Sequence, residues 1–190
     1  MISFIVLAHN EESLIGPTLC ALTTSARALG QPFEIIVVDD ASTDRTAAIA
    51  LAQGARVVRV QNRQIAATRN AGAKAACGDR LFFVDADTLA TADAVRGALA
   101  ALQAGAAGGG CLFNFGGRLP FWLRATNPVL MALFRVLNVT GGCFLFCTRK
   151  SFEATGGFCE RYFAVEDRPF IQALKREGRF VIPQARVMTS

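Results

Sequence analysis

Apolar residues in the first half of this chain come in short blocks that stop at acidic or polar pairs, with stretches of helical spacing between them. Residues 3–8, SFIVLA, form the first block, and the polar run His9, Asn10, Glu11, Glu12 closes it. Residues 34–38, EIIVV, and 81–84, LFFV, repeat the pattern and end at Asp39-Asp40 and at Asp85-Ala86-Asp87. Such short runs, rich in β-branched and aromatic side chains, predict strands buried on both faces. Residues 56–60 add another short strand. Between them, Leu14, Ile15, Leu19, Leu22, Ala26 and Leu29 fall at helical spacing, with Ser13 as the expected cap and Gly30 as the stop. Pro17 lies in the first turn, where amide hydrogens have no intrahelical partner. A second helix runs from Ser42 or Thr43 to about Gln53, and an Ala-rich third spans 64–77. This order, β-α-β-α-β-α-β, predicts an α/β fold with a mainly parallel central sheet flanked by helices.

After a helix over 93–104, capped by Thr91, the texture changes. AGAAGGG (104–110) reads as a flexible join and CLFNF (111–115) as a strand. Residues 120–137 form an apolar segment broken at Pro128. Residues 143–147 are a strand, 151–155 a short helix closed by Gly156-Gly157, 166–177 a helix and 180–182 a last strand. There is no internal repeat. The chain reads as one domain, 1–190, with a nucleotide-type half over 1–104 and a smaller half over 105–190 that covers it.

Composition narrows the function classes. A length of 190 residues suffices for one domain with a real core. Hydrophobic content is 52% and mean hydropathy +0.35, yet no apolar run reaches membrane-spanning length. The opening MISFIVLAHNEES has no basic leader and reads as a strand rather than a signal peptide. A net charge of +5 and pI near 9.1 favour anionic small molecules or an anionic membrane surface. Nucleic acid is disfavoured, because Lys and Arg are dispersed. Six cysteines without a CxxC, and His9 as the single histidine, give a zinc site little to draw on. Cys143 and Cys147 are expected on one face of their strand, as buried thiols in the reducing cytoplasm.

Three successive strand ends carry carboxylates: Glu11 and Glu12, Asp39 and Asp40, Asp85 and Asp87. A parallel sheet brings those ends to one edge, where open α/β sheets bind ligands. Gathered carboxylates repel unless a cation or hydrogen-bond donors offset them. Hard oxygen donors favour Mg²⁺ or Mn²⁺, while helix caps and solvated turns are the bland alternative. Asn62, Arg63, Arg69 and Asn70 surround the start of the 64–77 helix, either as an anion site or as a solvated basic face. Gly141-Gly142 permits close approach of a ligand or a second backbone, or is simply a turn. Glu166-Asp167 opens a helix, where an acidic pair also complements the helix dipole.

FIVLAHNEE (4–12), VVDDASTDRT (37–46), NRQIAATRNAGAKAACGDRLFFVDADT (62–88) and GGCFLFCTRKSFEATGGFCERYFAVED (141–167) together resemble the family 2 glycosyltransferases of GT-A fold. Order and spacing cover about residues 2–182. The resemblance implies inverting transfer of a sugar from a UDP- or GDP-sugar to an acceptor hydroxyl, assisted by Mn²⁺ or Mg²⁺. Carried over by position, Ala8, His9, Glu11 and Asp40 hold the base and ribose, and Arg69 lies near the nucleotide pocket or diphosphate. Asp85, Ala86 and Gly142 complete the donor site. Asp87, with Asp85, takes the metal; Asp167 is the general base, and Glu166 supports its helix. The second half becomes the acceptor side. His9 departs from the usual aromatic residue beside the base, and the Q/RxxRW motif of processive synthases is absent. The chain also stops at VMTS, where many relatives continue, so a minimal member and an incomplete acceptor side are both open.

Residues 120–137 read either as core or acceptor-site wall, or as an interfacial helix that meets a lipid-linked acceptor at the inner face of the membrane. Two rival functions remain. A nucleotidyltransferase would use a similar nucleotide half but advertise a Gly-rich phosphate loop, which residues 8–18 lack. A non-catalytic sugar-nucleotide-binding protein would have little use for Asp167.

Overall fold

A computed structural model describes residues 1–116, 134, 140–161 and 165–189. Strand β1 (Ile2–Ala8) leads through helix α1 (Ile15–Arg27) to β2 (Phe33–Asp40), and α2 (Thr46–Ala52) leads to β3 (Arg56–Val60). Helix α3 (Ile65–Ala75) precedes β4 (Arg80–Asp85), and α4 (Ala92–Gln103) precedes β5 (Gly108–Gly110) and β6 (Leu112–Phe115). Next come β7 (Phe144–Thr148), α5 (Arg149–Thr155), α6 (Asp167–Glu177), β8 (Phe180–Val181) and β9 (Arg186–Thr189). A seven-stranded sheet runs in the order β3-β2-β1-β4-β7-β5-β8, and β6 pairs with β9 in a second small sheet.

The first four strands are mutually parallel, as the alternation of strands and helices predicts. β7 then lies antiparallel to β4, so strands from both halves of the chain share one sheet. Side chains alternate across it, as the two-residue strand period demands. Phe4, Val6, Val37, Phe82, Val84, Phe144 and Phe146 pack with α1 and α4 on one face. Ile5, Ile36, Val38, Phe83, Leu145 and Cys147 pack with α3 and α6 on the other. Each large apolar side chain fully removed from water contributes about 1.5–3 kcal/mol, and Phe82 and Phe83, with no exposure, occupy the middle of the two layers.

Several expectations are corrected. The stretch 104–110 is not a flexible join throughout: Gly108, Gly109 and Gly110 form a buried strand between β7 and β8. Glycine is required there by crowding, since a Cβ on Gly109 would lie 2.0 Å from the Val181 carbonyl oxygen and 2.4 Å from the Phe146 ring. Strand β9 carries no apolar run that would announce it; it pairs with β6 and bridges to Leu89 through Met188. Cys143 and Cys147 do not share a face: Cys143 precedes β7 and packs on the α1 and α4 side, and Cys147 faces α6. Burial pushes the thiols of Cys111 and Cys143 up to about 12, and that of Cys147 up as well, so all three stay protonated at neutral pH.

Helix α1 starts without a side-chain cap, so Ser13 does not serve as one. At α2, Thr46 bonds Asp44 through its own amide and hydroxyl, replacing the expected Ser42 or Thr43 cap. The Thr91 cap is present, accepting from the Ala94 amide at 3.2 Å. Apart from Phe134, the 120–137 segment lies outside the described residues. Among the described residues, no helix is long and apolar enough to cross a membrane.

Candidate active site

Register places the strand ends side by side: Ala8 pairs with Asp39 across β1 and β2, and Leu7 with Asp85 across β1 and β4. Over these ends opens a cleft of about 630 Å³, within the range of small-molecule sites. Leu7, Ala8, His9, Glu11, Asp40, Arg63, Gln64, Ile65, Thr68, Asp85, Ala86 and Asp87 line it. Of the six strand-end carboxylates, Glu11, Asp40, Asp85 and Asp87 therefore meet. Asp39 and Glu12 do not. Asp39 is buried and accepts from the Ser42 amide, and Glu12 binds the Arg45 side chain at 3.3 Å.

At one end, Glu11, Asp85 and Asp87 come together. Burial, then the carboxylates of Asp87, Asp44 and Asp85, raise the Glu11 carboxyl above its ordinary value. The Ala86 carbonyl accepts the Thr18 hydroxyl of α1 at 2.7 Å, which holds the Asp85-Ala86-Asp87 turn against that helix. Asp87 accepts from the hydroxyls of Thr88 and Thr189, each at 3.3 Å. Among the described residues no group of three or more His, Cys, Asp or Glu is arranged to hold a metal ion. Two carboxylates from one turn nevertheless fit a hard cation of the Mg²⁺ or Mn²⁺ kind, which characteristically takes one or two protein carboxylates and completes its shell with phosphate and water.

At the other end, the Asp40 carboxylate anchors the loop that leads into α3. Its Oδ1 accepts the amides of Asn62 at 2.7 Å and Arg63 at 3.0 Å, and its Oδ2 accepts the Thr68 hydroxyl at 2.8 Å. Burial alone would raise this carboxyl, but the hydrogen bonds from Arg63, Thr68, Asn62 and Gln64 together hold it below the usual range. Above it, His9 Nδ1 donates to the Asp40 carbonyl at 2.7 Å, and His9 Nε2 accepts from Arg63 Nη1 at 3.1 Å. The guanidinium can only donate, and that fixes the tautomer.

Arg69 does not line this cleft. It is 2% exposed, and its guanidinium is engaged by three groups from distant parts of the chain. Nη1 donates to Glu166 at 2.8 Å, and Nη2 donates to Asp85 at 3.3 Å and to the Gly142 carbonyl at 3.1 Å. The Phe158 ring lies 5.0 Å below it. A buried guanidinium needs such a shell, because an unpaired buried charge is strongly disfavoured. Gly142 is pinned between the two motifs: a Cβ there would meet Arg69 Nη2 and Asp167 Oδ2, both at 3.2 Å. Burial, then the neighbouring Glu166 carboxylate, raise the Asp167 carboxyl, and Arg69 pulls it back. Asn70 serves structure as well, bonding the Phe158 amide and carbonyl, each at 2.9 Å.

Two clusters emerge. Ala8, His9, Glu11, Asp40, Asp85, Ala86 and Asp87 surround the cleft, while Arg69, Gly142, Glu166 and Asp167 stand together behind Asp85. Sequence reasoning missed Leu7, Gln64, Ile65, Thr68 and Thr18. Thr68 has a legible signal only in retrospect, one turn into a helix whose start faces an acidic strand end. Backbone strain marks the same places. Asn10, Ala41, Arg63 and Val165 take left-handed φ between 50° and 61°, each beside a residue of one of the two clusters. For non-glycine residues such conformations persist where surrounding contacts enforce them, which is characteristic of functional sites.

Comparison with solved structures yields folds of the same kind. TarS 1–349 from S. aureus superposes with a TM-score of 0.78 at 20% identity, over 100% of this chain and 60% of that one. Mannosyltransferase PcManGT from Pyrobaculum calidifontis, in complex with GDP-Man and Mn²⁺, gives 0.78 at 22%, over 98% of this chain and 56% of that one. Glucosyl-3-phosphoglycerate synthase from Mycobacterium tuberculosis, with Mn²⁺, UDP and glucosyl-3-phosphoglycerate, gives 0.70 at 24%, over 100% and 70%. The chain thus spans about 60% of the length of TarS 1–349, and at these identities the likeness is one of fold. No curated protein sequence matches it. Residues 3–159, which carry every strand end around the cleft, match the family described as Glycosyl transferase family 2, and on that match the chain belongs to glycosyl transferase family 2.

Proposed function

We propose that the cleft binds a UDP- or GDP-sugar and that the protein transfers the sugar, with inversion, to an acceptor hydroxyl. The observation that carries this reading is the buried Arg69, which ties Asp85 of the acidic cleft to Glu166 and to the carbonyl of Gly142, with the Asp167 carboxylate beside Gly142. A carboxylate for proton transfer is thereby held next to a site suited to a charged leaving group.

Asp87, together with Asp85, would hold Mn²⁺ or Mg²⁺; when bound, the cation offsets charge that develops on the departing diphosphate. The complexes of PcManGT and of glucosyl-3-phosphoglycerate synthase with Mn²⁺ support a divalent cation as the cofactor. The acceptor oxygen attacks the anomeric carbon from the face opposite the diphosphate. As that bond forms, the bond to the diphosphate oxygen breaks, and the acceptor proton passes to the Asp167 carboxylate. The raised Asp167 carboxyl makes it a stronger base than an ordinary aspartate.

Replacing Asp167→Asn should lower transfer about 10²- to 10⁴-fold while UDP binding, measured by calorimetry with Mn²⁺, stays close to wild type. Near-normal turnover would dismiss Asp167 as the base. Asp87→Ala should abolish the Mn²⁺-dependent part of UDP binding, and unchanged metal dependence would remove Asp87 from the metal site.

A further inference from the structure

We propose that Asn70 is a positioning residue for the transfer step. It seats the Phe158 ring as a wedge between β4 and α6, and through that ring it holds Asp167 in place behind Asp85. The inference rests on Asp167 being the base, as proposed above. Asn70 follows Arg69 on α3. Its Oδ1 accepts the Phe158 amide at 2.9 Å, and its Nδ2 donates to the Phe158 carbonyl at 2.9 Å and to Glu160 Oε1 at 2.8 Å. A backbone N–H can only donate and a carbonyl can only accept, so the orientation of the side-chain amide is fixed. Bonding both backbone groups of one residue holds it as a hydrogen-bonded pair between strands is held. Gly157 completes the clasp. Its φ is 77°, and a Cβ there would stand 2.8 Å from Asn70 Oδ1. Gln64, on the cleft wall, donates to the Glu160 carbonyl and ties the same loop to the start of α3.

The ring seated in this way is 2% exposed and meets three elements. Its centroid lies 4.0 Å from that of Phe170, which follows Asp167 by one turn of α6. It lies 4.9 Å from the Phe83 ring, edge to face, and Phe83 precedes Asp85 by two residues on β4. The Arg69 guanidinium is 5.0 Å from the same centroid. Arg69 therefore joins Glu166 to Asp85 on one side of the ring, while the ring itself spaces the helix that begins at Asp167 from the strand that ends at Asp85. Close-packed interiors pass a displacement on rather than absorb it. Release of Phe158 should thus shift the first turn of α6 and the guanidinium together. Phe158 is not among the residues lining the nucleotide cleft, so donor binding should be spared.

The test compares wild type with Asn70→Ala, Asn70→Asp, Phe158→Leu and the double variant of Asn70→Ala with Phe158→Leu. Calorimetry with Mn²⁺ measures UDP and GDP binding. Release of UDP or GDP from UDP-glucose, UDP-N-acetylglucosamine and GDP-mannose, with water as the acceptor, measures turnover. Both are read well below the melting temperature of each variant. Asn70→Ala should bind nucleotide close to wild type while kcat on the fastest of these donors falls about 10²-fold, the loss expected when a catalytic group is displaced by about 1 Å. Asn70→Asp, equal in size but unable to donate to the Phe158 carbonyl, should lose as much. The double variant should lose no more than the worse single variant, since Asn70 acts through Phe158. A wild-type kcat in Asn70→Ala overturns the inference. So does an equal fall in kcat and nucleotide affinity, which would make the clasp a general support of the fold. Asp167→Asn, measured alongside, separates the two readings. If it keeps a wild-type kcat, the base reading falls and the inference with it; if it loses turnover while Asn70→Ala does not, the inference alone falls.

Discussion

Replacing Arg69→Met removes the charge on which the two clusters converge. Glu166 keeps only 8% of its side chain exposed, and its Oε1 is paired with Arg69 at 2.8 Å. Asp85 is already raised by burial, against which the nearby guanidinium acts. Breaking a buried pair by deleting one partner costs about 3–5 kcal/mol, because the other charge stays buried and uncompensated. Against a total stability of about 5–15 kcal/mol, that is a large loss. Urea denaturation at pH 7 should show it as a fall in midpoint without a change in slope. Adding Glu166→Gln removes the orphaned charge, so the double variant should be more stable than the sum of the single losses by about 1–3 kcal/mol. Arg69→Lys should recover only part, since one ammonium cannot serve Glu166, Asp85 and the Gly142 carbonyl as a fork does. If Arg69→Met instead kept its stability within about 0.5 kcal/mol but lost UDP affinity, Arg69 would be a ligand contact and the tie would carry no weight.

Two further outcomes follow from packing and charge. Gly109→Ala should destabilise the fold by about 1–3 kcal/mol or more, since its Cβ would stand 2.0 Å from the Val181 carbonyl oxygen; an unchanged denaturation midpoint would show that β5 and β8 are not packed as described. Asp40 has a depressed carboxyl in the folded state, so the unfolded chain binds the proton more readily and stability rises with pH. That contribution is complete above the ordinary aspartate value of 3.8 and is lost as pH falls through the lower folded value. The stability difference between wild type and Asp40→Asn should therefore shrink on acidification below that point, and a difference independent of pH would contradict its role in anchoring the loop before α3.

The alternation of buried strands with amphipathic helices was legible from residues 2 to 104, as were the acidic strand ends and the order of the motifs. These signals are local. A strand announces itself by its run of apolar residues, and a parallel sheet then places successive carboxyl ends on one edge without any knowledge of side-chain partners. Glu11, Asp40, Asp85 and Asp87 could thus be grouped from sequence, and they line one cleft. Partners that lie far apart along the chain could not be read in the same way. Arg69 looked like a phosphate ligand because its helix begins beside the acidic edge, yet Glu166, 97 residues away, takes its charge. Asp40 could be placed at the edge from sequence, but the amides and the hydroxyl from 22 to 28 residues later that bond to it could not. Gly108–Gly110 looked like part of a flexible join because glycine carries no pattern of its own, and pairing with β7 and β8 makes it a strand. Sequence alone determined the elements of residues 2–104, their order and the edge on which the chemistry sits. Tertiary structure decided which charged groups at that edge are spent holding it together, because burial and pairing depend on neighbours that no local pattern encodes.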